Sequence, residues 1–568
     1  MQENFIIEGQ VVDILAREIF EGSITVEDGV IAAITKKKVK NSQGYIMPGF
    51  VDSHIHIESS MLTPKSFGIE AIKSGTVAVV SDPHEIANVM GIKGIDYMKE
   101  SAEESPIKTF FTIPSCVPAT PLDVAGGEIT TKDVERMAES GEFVALSEMM
   151  NVGGVLSQNK EIISKIEIAL RNGLPVDGHA PMLSGKDLEK YVDFGINTDH
   201  ESSSLSEATE KIDQEMKILI REGSACKNYE TLKTLIGTNP EEVMFCSDDL
   251  HADDLQERGH ISYIAKRALE DGFDLFDILN IASTNPIEHY DLSVGTLQEG
   301  DSADFIVVED LKEFETKQVY IDGELRYNID APTSEPEPEI EEEIVEDKRP
   351  KLLFETKESV QITPQPKGFN NFRHRRVALS ALSKEVTSPI AAIEVIPGEV
   401  ITNKYIYKPT KSHDNLESDI ENDLLKIVYI NRYNNGTPQV AYCKGFGLKR
   451  GAMASTISHD SHNIIAIGCS DIELSVAINN IIDNKGGLCV CDGLSATSLP
   501  LPVCGIMSEE PCAKVASQYK EICEVVKSMG TTLDAPFMTL SFMSLCVIPT
   551  IKIGEQGLFD VEKGYWVK

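Results

Sequence analysis

The sequence has too few basic residues for two large classes of partner. It contains 52 lysines and arginines against 91 aspartates and glutamates, which gives a formal net charge of −39. Binding to a nucleic-acid backbone and anchoring to an anionic membrane both need a basic surface, so we expect neither partner. A small neutral or cationic substrate is compatible with this charge.

Long apolar runs are also missing, although 41% of the residues are apolar. No run of about 18 apolar residues is present to cross a membrane. The opening residues MQENFIIEGQ lack the basic region and long apolar stretch of a signal peptide. The 11 cysteines are odd in number and irregularly spaced, which is typical of reduced thiols rather than of a disulfide framework. We therefore expect a cytoplasmic protein.

The pattern of the chain changes several times along its 568 residues, which are too many for one typical domain. Short strand-like segments fill residues 1–47 and return in residues 291–330, which predicts one composite β-sandwich. Residues 331–350 form an acidic linker that contains TSEPEPEIEEEIVED. Residues 351–568 are a separate α/β or α+β domain, with predicted strands in KIVYINRY, NIIAIGCS and LCVCDG.

Residues 48–290 alternate between predicted strands and helices, which is typical of a parallel sheet. About 240 residues is the size of a (β/α)₈ barrel. A doubly wound sheet is the alternative, but no Gly-rich dinucleotide fingerprint follows a strand. After the first strand, the predicted strands are 76–82, 108–115, 142–148, 174–180, 195–201 and 243–249. Predicted helices include 160–172, 207–221 and 261–271.

Two histidines, His54 and His56, lie at the end of the first barrel strand. On a strand, side chains two residues apart point to the same side, so both imidazoles face one point. Neutral imidazole is a common ligand of first-row metals. Two ordinary polar histidines at a strand end are the alternative, and the rest of the chain decides between them.

Further polar residues end the later strands, where a parallel barrel gathers its functional groups. A mononuclear catalytic zinc site needs about three protein ligands, and this set offers six, so we expect two metals with Glu148 as a bridge. The predicted ligands are His54, His56, Glu148, His179, His200 and Asp248. Asp82, His84, Glu85 and Asp249 lie at the same ends; Asp82 is also a candidate helix cap, and His84 a hydrogen-bonded polar residue.

These motifs carry a family resemblance. PGFVDSHIH, two later lone histidines and an aspartate resemble the amidohydrolase superfamily. Within it, HIHIESSM, DPHEIANV, LSEMMNVGGV, DGHAP, TDHES and FCSDD resemble the bacterial adenine deaminases, as do HDSHN (459–463), GGLCV and LPLPVCGIMS in the second half. Many superfamily members bridge their metals with a carboxylated lysine, whereas this chain has Glu148 at the equivalent place, as the adenine deaminases do.

The resemblance implies a (β/α)₈ barrel, a small β-sandwich and an additional C-terminal domain. It implies hydrolysis of adenine to hypoxanthine and ammonia in purine salvage. The implied cofactor is a binuclear centre of Mn²⁺ or Fe²⁺, and the ligands suit Zn²⁺ as well. The expected partner is a small purine base, and a homodimer is compatible with the family.

For the mechanism, we expect a metal-bridging hydroxide to attack C6 of the purine, with Asp248 accepting its proton. Glu85, Asp82 and His84 are candidate proton donors, because burial or acidic neighbours raise the pKa of a carboxyl group. Substrate contacts are expected from Glu58, Ser59, His459, Asp460 and His462. A helix-entry turn is the alternative for Glu58 and Ser59, and a hydrogen-bonded turn for the segment HDSHN.

Other functions are weighed against this expectation. A cytidine-type deaminase would pair H-x-E with P-C-x-x-C, and the second motif is missing after Pro511-Cys512. A hydrolase that opens a cyclic amide, of the dihydroorotase or hydantoinase kind, is the enzymatic alternative. A non-catalytic metal-binding scaffold is the other alternative.

Overall fold

The computed structural model describes residues 4–40, 42–331 and 369–567. Apart from Ala331, the predicted acidic linker lies outside these ranges. Among the residues described, no helix is both long enough and apolar enough to cross a membrane. All eleven cysteines are described and are free thiols, most of them buried. Four strands open the chain: β1 (Phe5–Asp13), β2 (Glu18–Glu27), β3 (Val30–Lys36) and β4 (Tyr45–Pro48).

Eight parallel strands then close into a barrel. The first five pair in chain order, and so do the last three. Single bridges join the two groups at Val176 and Ile196 and close the barrel at Ile55 and Asp248. The strands are β5 (Phe50–Ile55), β6 (Thr76–Ser81), β7 (Lys108–Ile113), β8 (Phe143–Met149), β9 (Val176–Gly178), β10 (Thr198–Asp199), β11 (Lys217–Arg221) and β12 (Val243–Cys246).

Helices connect these strands. The first seven are α1 (Pro64–Ala71), α2 (His84–Met90), α3 (Ile92–Ala102), α4 (Thr131–Ser140), α5 (Val152–Leu156), α6 (Lys160–Arg171) and α7 (Gly185–Val192). The next seven are α8 (Leu205–Asp213), α9 (Tyr229–Leu232), α10 (Leu235–Thr238), α11 (Ala252–Arg258), α12 (Ile261–Glu270), α13 (Leu275–Leu279) and α14 (Asn285–His289).

One predicted helix, 207–221, is wrong in its second half. Helix α8 ends at Asp213, and the buried strand β11 begins at Lys217. Glu215, between them, has a left-handed backbone with φ of 66°. This conformation is unfavourable for a non-glycine residue within a helix, so the chain turns there and enters the barrel.

The chain then returns to its first sheet with β13 (Phe305–Val308), β14 (Thr316–Ile321) and β15 (Glu324–Asn328). The seven strands are hydrogen-bonded in the order β15-β14-β13-β4-β1-β2-β3. Phe5 on β1 stacks on Tyr320 of β14 with ring centroids 5.0 Å apart, although two strands separate β1 from β14 within the sheet. The sheet therefore curls over its own apolar core, which gives a sandwich-like unit beside the barrel.

The C-terminal part contains a nine-stranded sheet with the order β17-β16-β20-β19-β22-β21-β23-β24, and β18 pairs with β19. Its strands are β16 (Ile390–Val395), β17 (Thr402–Tyr407), β18 (Ser418–Asp419), β19 (Leu424–Ile430), β20 (Gln439–Lys444), β21 (Ala452–Ser455), β22 (Ile464–Gly468), β23 (Gly487–Asp492) and β24 (Ser495–Pro500). The strands predicted in KIVYINRY, NIIAIGCS and LCVCDG are confirmed as β19, β22 and β23.

Three helices and a small three-stranded sheet complete the chain. They are α15 (Asp471–Asp483), α16 (Cys512–Ser528), α17 (Pro536–Ser541), β25 (Ile551–Gly554), β26 (Gly557–Asp560) and β27 (Tyr565–Trp566). This part is bonded directly to the barrel: the Ser508 amide donates to the Met61 carbonyl at 2.8 Å, and Asn463 Nδ2 donates to the Val124 carbonyl at 2.8 Å. The segment between β21 and β22 therefore lies over the mouth of the barrel.

Candidate active site

The ends of β5 and β12 place three ligand atoms around one point. His54 Nε2 and His56 Nε2 lie 3.2 Å apart, and Asp248 Oδ1 lies 3.6 Å from the first and 3.2 Å from the second. Asp248 adopts a left-handed backbone with φ of 53°. Its amide donates to the His54 carbonyl at 3.0 Å, and its carbonyl accepts from the His56 amide at 3.3 Å. The closure of the barrel thus holds the aspartate against both histidines.

Glu148, near the end of β8, lies between this group and a second group of histidines. Its Oε1 is 3.3 Å from His56 Nε2, and its Oε2 is 3.2 Å from His200 Nε2 and 2.6 Å from His179 Nδ1. Burial opposes the ionisation of Glu148, but the surrounding histidines outweigh it and hold its pKa well below the usual range. One carboxylate therefore faces both groups.

The six predicted ligands fit a metal centre. Their donor atoms are imidazole nitrogens and carboxylate oxygens, and they form overlapping groups in which these atoms lie within 4.8 Å of one another. His179 presents Nδ1 to the group, 2.6 Å from Glu148 Oε2 and 3.7 Å from Glu201 Oε1. The His56 Nδ1–H donates to the Asp82 carbonyl at 3.1 Å, which leaves the lone pair of Nε2 facing the group. Such donors suit divalent first-row cations.

Two buried charged residues of the site were missed by the sequence reasoning. Arg221, at the end of β11, donates from Nη1 to Asp248 Oδ2 at 2.6 Å and also bonds Glu201. Glu201 Oε1 lies 3.5 Å from His200 Nε2. Burial opposes the ionisation of Glu201, but Arg221 and the two nearest histidines lower its pKa overall. Arg221 lay in the segment misread as helix, whereas Glu201 directly follows a predicted ligand.

Asp82 and His84 form a fixed pair beside Glu148. His84 Nδ1 donates to Asp82 Oδ2 at 2.9 Å, and the His84 amide donates to Asp82 Oδ1 at 3.2 Å. Asp82 is completely buried and is not among the cavity-lining residues, whereas His84 is. The structure therefore places Asp82 as the residue that orients His84, whose Nε2 lies 3.7 Å from Glu85 Oε1.

Glu85 is held from the C-terminal part of the chain. His459 Nδ1 lies 2.5 Å from Glu85 Oε1, and His462 Nε2 bonds Glu85 Oε2. Burial opposes the ionisation of Glu85, but the charges of His459, His462 and His84 hold its pKa well below the usual range. The predicted direction of the shift is therefore wrong for Glu85, because basic rather than acidic groups surround it.

Glu58 and Ser59 are not brought into the site. Glu58 Oε1 accepts from the Ile86 amide in the first turn of α2 at 3.1 Å, and burial raises the pKa of Glu58 to about 7. Ser59 Oγ donates to Asp249 Oδ1 at 2.5 Å. Neither is found among the described residues that line the cavity. Both residues lie in a short 3-10 helix, Ile57–Ser60, directly after β5, as the predicted alternative of a helix-entry turn expects.

A cavity above the predicted ligands joins the barrel to the C-terminal part. Five of the predicted ligands line it, together with His84, Glu85, Glu201 and Arg221. The opposite wall is mostly apolar and comes from beyond residue 399. It comprises Val400, His459, Asp460, Phe542, Leu545, Val547 and Ile548. A small molecule that carries both apolar surface and polar atoms suits such a lining.

Comparisons with known proteins cover both halves of the chain. The amidohydrolase family matches residues 45–326, and the adenine deaminase C-terminal domain matches residues 399–565. A Methanosarcina barkeri protein named adenine deaminase is 45% identical over 567 residues, covering 99% of this chain and 98% of the relative. A Sulfurovum protein of that name is 44% identical over 550 residues, covering 97% and 96%. One from Parabacteroides distasonis is 41% identical over 562 residues, covering 99% and 98%.

Proposed function

Because the chain belongs to the adenine deaminase family of amidohydrolases, we propose that it hydrolyses adenine to hypoxanthine and ammonia in the cavity between its barrel and its C-terminal part. The observation that carries this proposal is that the cavity combines the cluster of predicted metal ligands with Glu85, a barrel carboxylate held by His459 and His462 of the C-terminal part. Full-length similarity to relatives of that name supports the same reaction.

The proposed cofactor is a pair of divalent cations, and Glu148, which faces both groups of histidines, would help to hold them. Mn²⁺ or Fe²⁺ are the cations we propose, and the nitrogen and oxygen donors accept Zn²⁺ as well. The side chains that would hold them are His54, His56, Glu148, His179, His200 and Asp248. Cations bound there lower the pKa of water towards neutrality and so supply a nucleophile at physiological pH.

The reaction requires the movement of two protons. The oxygen of water adds to C6, one water proton goes to N1, and the other goes to the amino group before the C6–N6 bond breaks and ammonia leaves. Asp248 is the proposed first acceptor. Because Arg221 occupies its Oδ2, only Oδ1 faces the ligand cluster and is placed to take the proton from the attacking water.

Glu85 is the proposed carrier of protons to N1 and to the amino group. It lines the cavity as a carboxylate, so it must gain a proton before it can donate one. His459 Nδ1 and His462 Nε2 hold its two oxygens, which fixes the carboxylate plane and balances its charge between transfers. His84, oriented by Asp82, faces the same carboxylate from the barrel side.

The proposal is tested by incubating Mn²⁺-loaded protein with adenine and following hypoxanthine and ammonia together. Equal amounts of both products are expected. Dihydroorotate and hydantoin serve as cyclic-amide substrates in parallel reactions. Hydrolysis of a cyclic amide without turnover of adenine would replace this proposal by the amide-hydrolase alternative. Absence of turnover with every substrate, at full metal content, would favour a binding scaffold.

A further inference from the structure

The barrel closes at a seam between the ends of β5 and β12, and a buried carboxylate spans this seam. Among the described residues, one backbone bridge joins the two ends, at Ile55 and Asp248. Asp52 Oδ1 adds two further bonds, since it accepts from the His54 amide at 3.2 Å and from the Ser247 amide at 3.1 Å. His54 is a predicted metal ligand, and Ser247 directly precedes the predicted ligand Asp248. One carboxylate oxygen therefore ties together both strand ends that carry these ligands.

The second oxygen of Asp52 faces His260, which directly precedes α12. His260 Nε2 lies 2.8 Å from Asp52 Oδ2, and this oxygen also accepts from the Ser247 hydroxyl. On the other side of the imidazole ring, Nδ1 lies 2.8 Å from Thr76 Oγ1 at the start of β6. The side chains of Asp52 and His260 are both completely buried. A buried carboxylate is costly unless it is paired, so His260 stabilises Asp52 in this position.

This pair lies behind the site rather than in it. Neither Asp52 nor His260 is found among the described residues that line the cavity. The pair therefore acts on the site through the backbone of the two strand ends. Asp248 has a left-handed backbone with φ of 53°, a region that non-glycine residues adopt infrequently. Its position consequently depends on the contacts beside it, which include the bridge at the seam and the bond from the Ser247 amide to Asp52.

We infer that His260 and Asp52 form a positioning pair for the metal ligands at the seam. His260 holds the carboxylate, and the carboxylate holds the amides of His54 and Ser247. In this arrangement Asp248 Oδ1 lies 3.6 Å from His54 Nε2, so that both atoms can reach one cation. The inference rests on the metal centre of the proposed function, and it names residues that shape this centre without contacting metal or substrate.

Two amide replacements of His260 separate its two contacts. In His260→Gln, the side-chain amide reaches the position of Nε2 and can still donate to Asp52. In His260→Asn, the shorter amide reaches only the position of Nδ1 and faces Thr76. Metal-free protein is titrated with Mn²⁺ in a calorimeter. The affinity should be at least 10-fold weaker in His260→Asn and within threefold of wild type in His260→Gln, because losing a group that orients metal ligands commonly costs about 10–100-fold in affinity.

Thr76→Val is the matched control, because it removes the contact on Nδ1 and leaves the contact between Nε2 and Asp52; its Mn²⁺ affinity should stay within threefold of wild type. Asp52→Ala removes the carboxylate itself and should weaken Mn²⁺ binding at least 10-fold, which provides the comparison if His260→Asn fails to fold. Absorption spectra of the Co²⁺-saturated proteins report the geometry of the ligands separately from affinity. We expect the spectrum to change in His260→Asn and Asp52→Ala, and to match wild type in His260→Gln and Thr76→Val.

The outcomes separate this inference from the proposed function. Equal Mn²⁺ affinities of the wild type and His260→Asn overturn the inference. Weaker binding with an unchanged Co²⁺ spectrum also overturns it, because a general loss of stability would then be the cause. If the wild type binds no Mn²⁺, the metal centre of the proposed function fails and this inference fails with it. If the variants behave as expected while adenine is not deaminated, the proposed reaction fails and the positioning pair stands.

Discussion

At the residue scale, Arg221 shows how the site tolerates several buried carboxylates. Arg221, Glu201 and Asp248 have side chains that are 8%, 9% and 5% exposed. Buried like charges are costly unless they are paired, and the guanidinium group pairs with both acids at once. It also fixes the orientation of Asp248, because it occupies one carboxylate oxygen and leaves the other towards the histidines.

Replacing Arg221 by methionine should damage both stability and activity. It leaves two buried carboxylates without their cation, so we expect a loss of about 3–5 kcal/mol in the free energy of unfolding. Adenine turnover should fall at least 100-fold. Adding guanidinium ion at millimolar concentration, below its denaturing range, should restore part of the turnover. Denaturant unfolding and steady-state kinetics provide the measurements.

Arg376→Met is the control for that prediction. Arg376 pairs with Asp483 at the surface, where the two side chains are 70% and 48% exposed. Exposed ion pairs contribute little to stability, so the control should lose less than about 1 kcal/mol and keep its activity. Arg221→Met with the stability and rate of the control would contradict the positioning role.

Glu85→Gln should abolish most of the turnover while leaving the metal content unchanged. Glutamine keeps the size of the side chain but cannot carry a proton, and positioned acid–base groups contribute about 10²–10⁴-fold to rates. Elemental analysis and adenine kinetics on the same sample give both quantities. A wild-type rate in fully loaded Glu85→Gln would show that another group carries the protons.

Which site residues could be predicted depended on whether their signal was local. His54, His56, Glu148 and Asp248 each end an apolar run, and a parallel barrel gathers strand ends at one mouth; their role as ligands stays a prediction. The function of Phe542 as a cavity wall could not be anticipated. Its sequence reads as ordinary apolar core, and only the packing of two distant units brings it to the barrel.

At the element scale, β11 is a strand where the sequence pattern predicts a helix. Its five residues, KILIR, are short and buried, and an apolar run of that length has no periodicity that separates a strand from a helix. The sequence pattern therefore predicts one helix that continues from α8 through Glu215 to Arg221. The longer segments β1, β2 and β19 were predicted because of their length and because turn-forming residues bound them.

Strand β25 carries a buried lysine that holds the cavity wall. Lys552 Nζ donates to the Val400 carbonyl at 2.6 Å and to the Phe542 carbonyl at 3.0 Å, and both of these residues line the cavity. Burial lowers the pKa of Lys552 to about 7. In the unfolded chain the pKa of Lys552 is about 10.4, so folding releases a proton at any pH between the folded and unfolded pKa values.

Lys552→Met should therefore change stability in a pH-dependent way. The free-energy penalty for burying the charged lysine is complete below pH 7. It disappears as the pH rises towards the pKa of Lys552 in the unfolded chain. The free energy of unfolding of the variant, taken relative to that of the wild type, should be about 2–3 kcal/mol lower at pH 9 than at pH 6. Chemical unfolding at the two pH values measures this difference.

Lys404→Met is the matched control on the neighbouring strand β17. Lys404 Nζ donates to Asp560 at 2.8 Å. Mainly because of this contact, the pKa of Lys404 is raised rather than lowered. Lys404 is therefore protonated in both folded and unfolded chains from pH 6 to 9, and its variant should show no such difference. If both variants showed the same pH dependence of stability, the titration of Lys552 would not be its cause.

At the scale of the whole molecule, the site belongs to no single unit. The barrel supplies the proposed metal ligands, and the C-terminal part supplies the groups that hold Glu85 and the apolar wall. The expected homodimer stays a prediction. Because burial of the ligand cluster depends on both parts, occupancy of the metal site should influence the stability of the entire fold.

Removal of metal is the measurement that reports this dependence. The carboxylates Glu148 and Asp248 lie buried beside four histidines, and cations that bind only the folded chain stabilise it by about 4 kcal/mol per site at a thousandfold excess over Kd. For a chain of this size, that corresponds to a rise in Tm of about 3–7 °C for one or two sites. Dialysis against a chelator should lower the Tm by this amount, and added Mn²⁺ should restore it.

Glu148→Gln, which removes the shared carboxylate, should reduce the chelator-dependent shift by at least half. Identical melting of chelated and Mn²⁺-loaded wild-type protein would contradict the proposed metal centre, independently of whether adenine is its substrate.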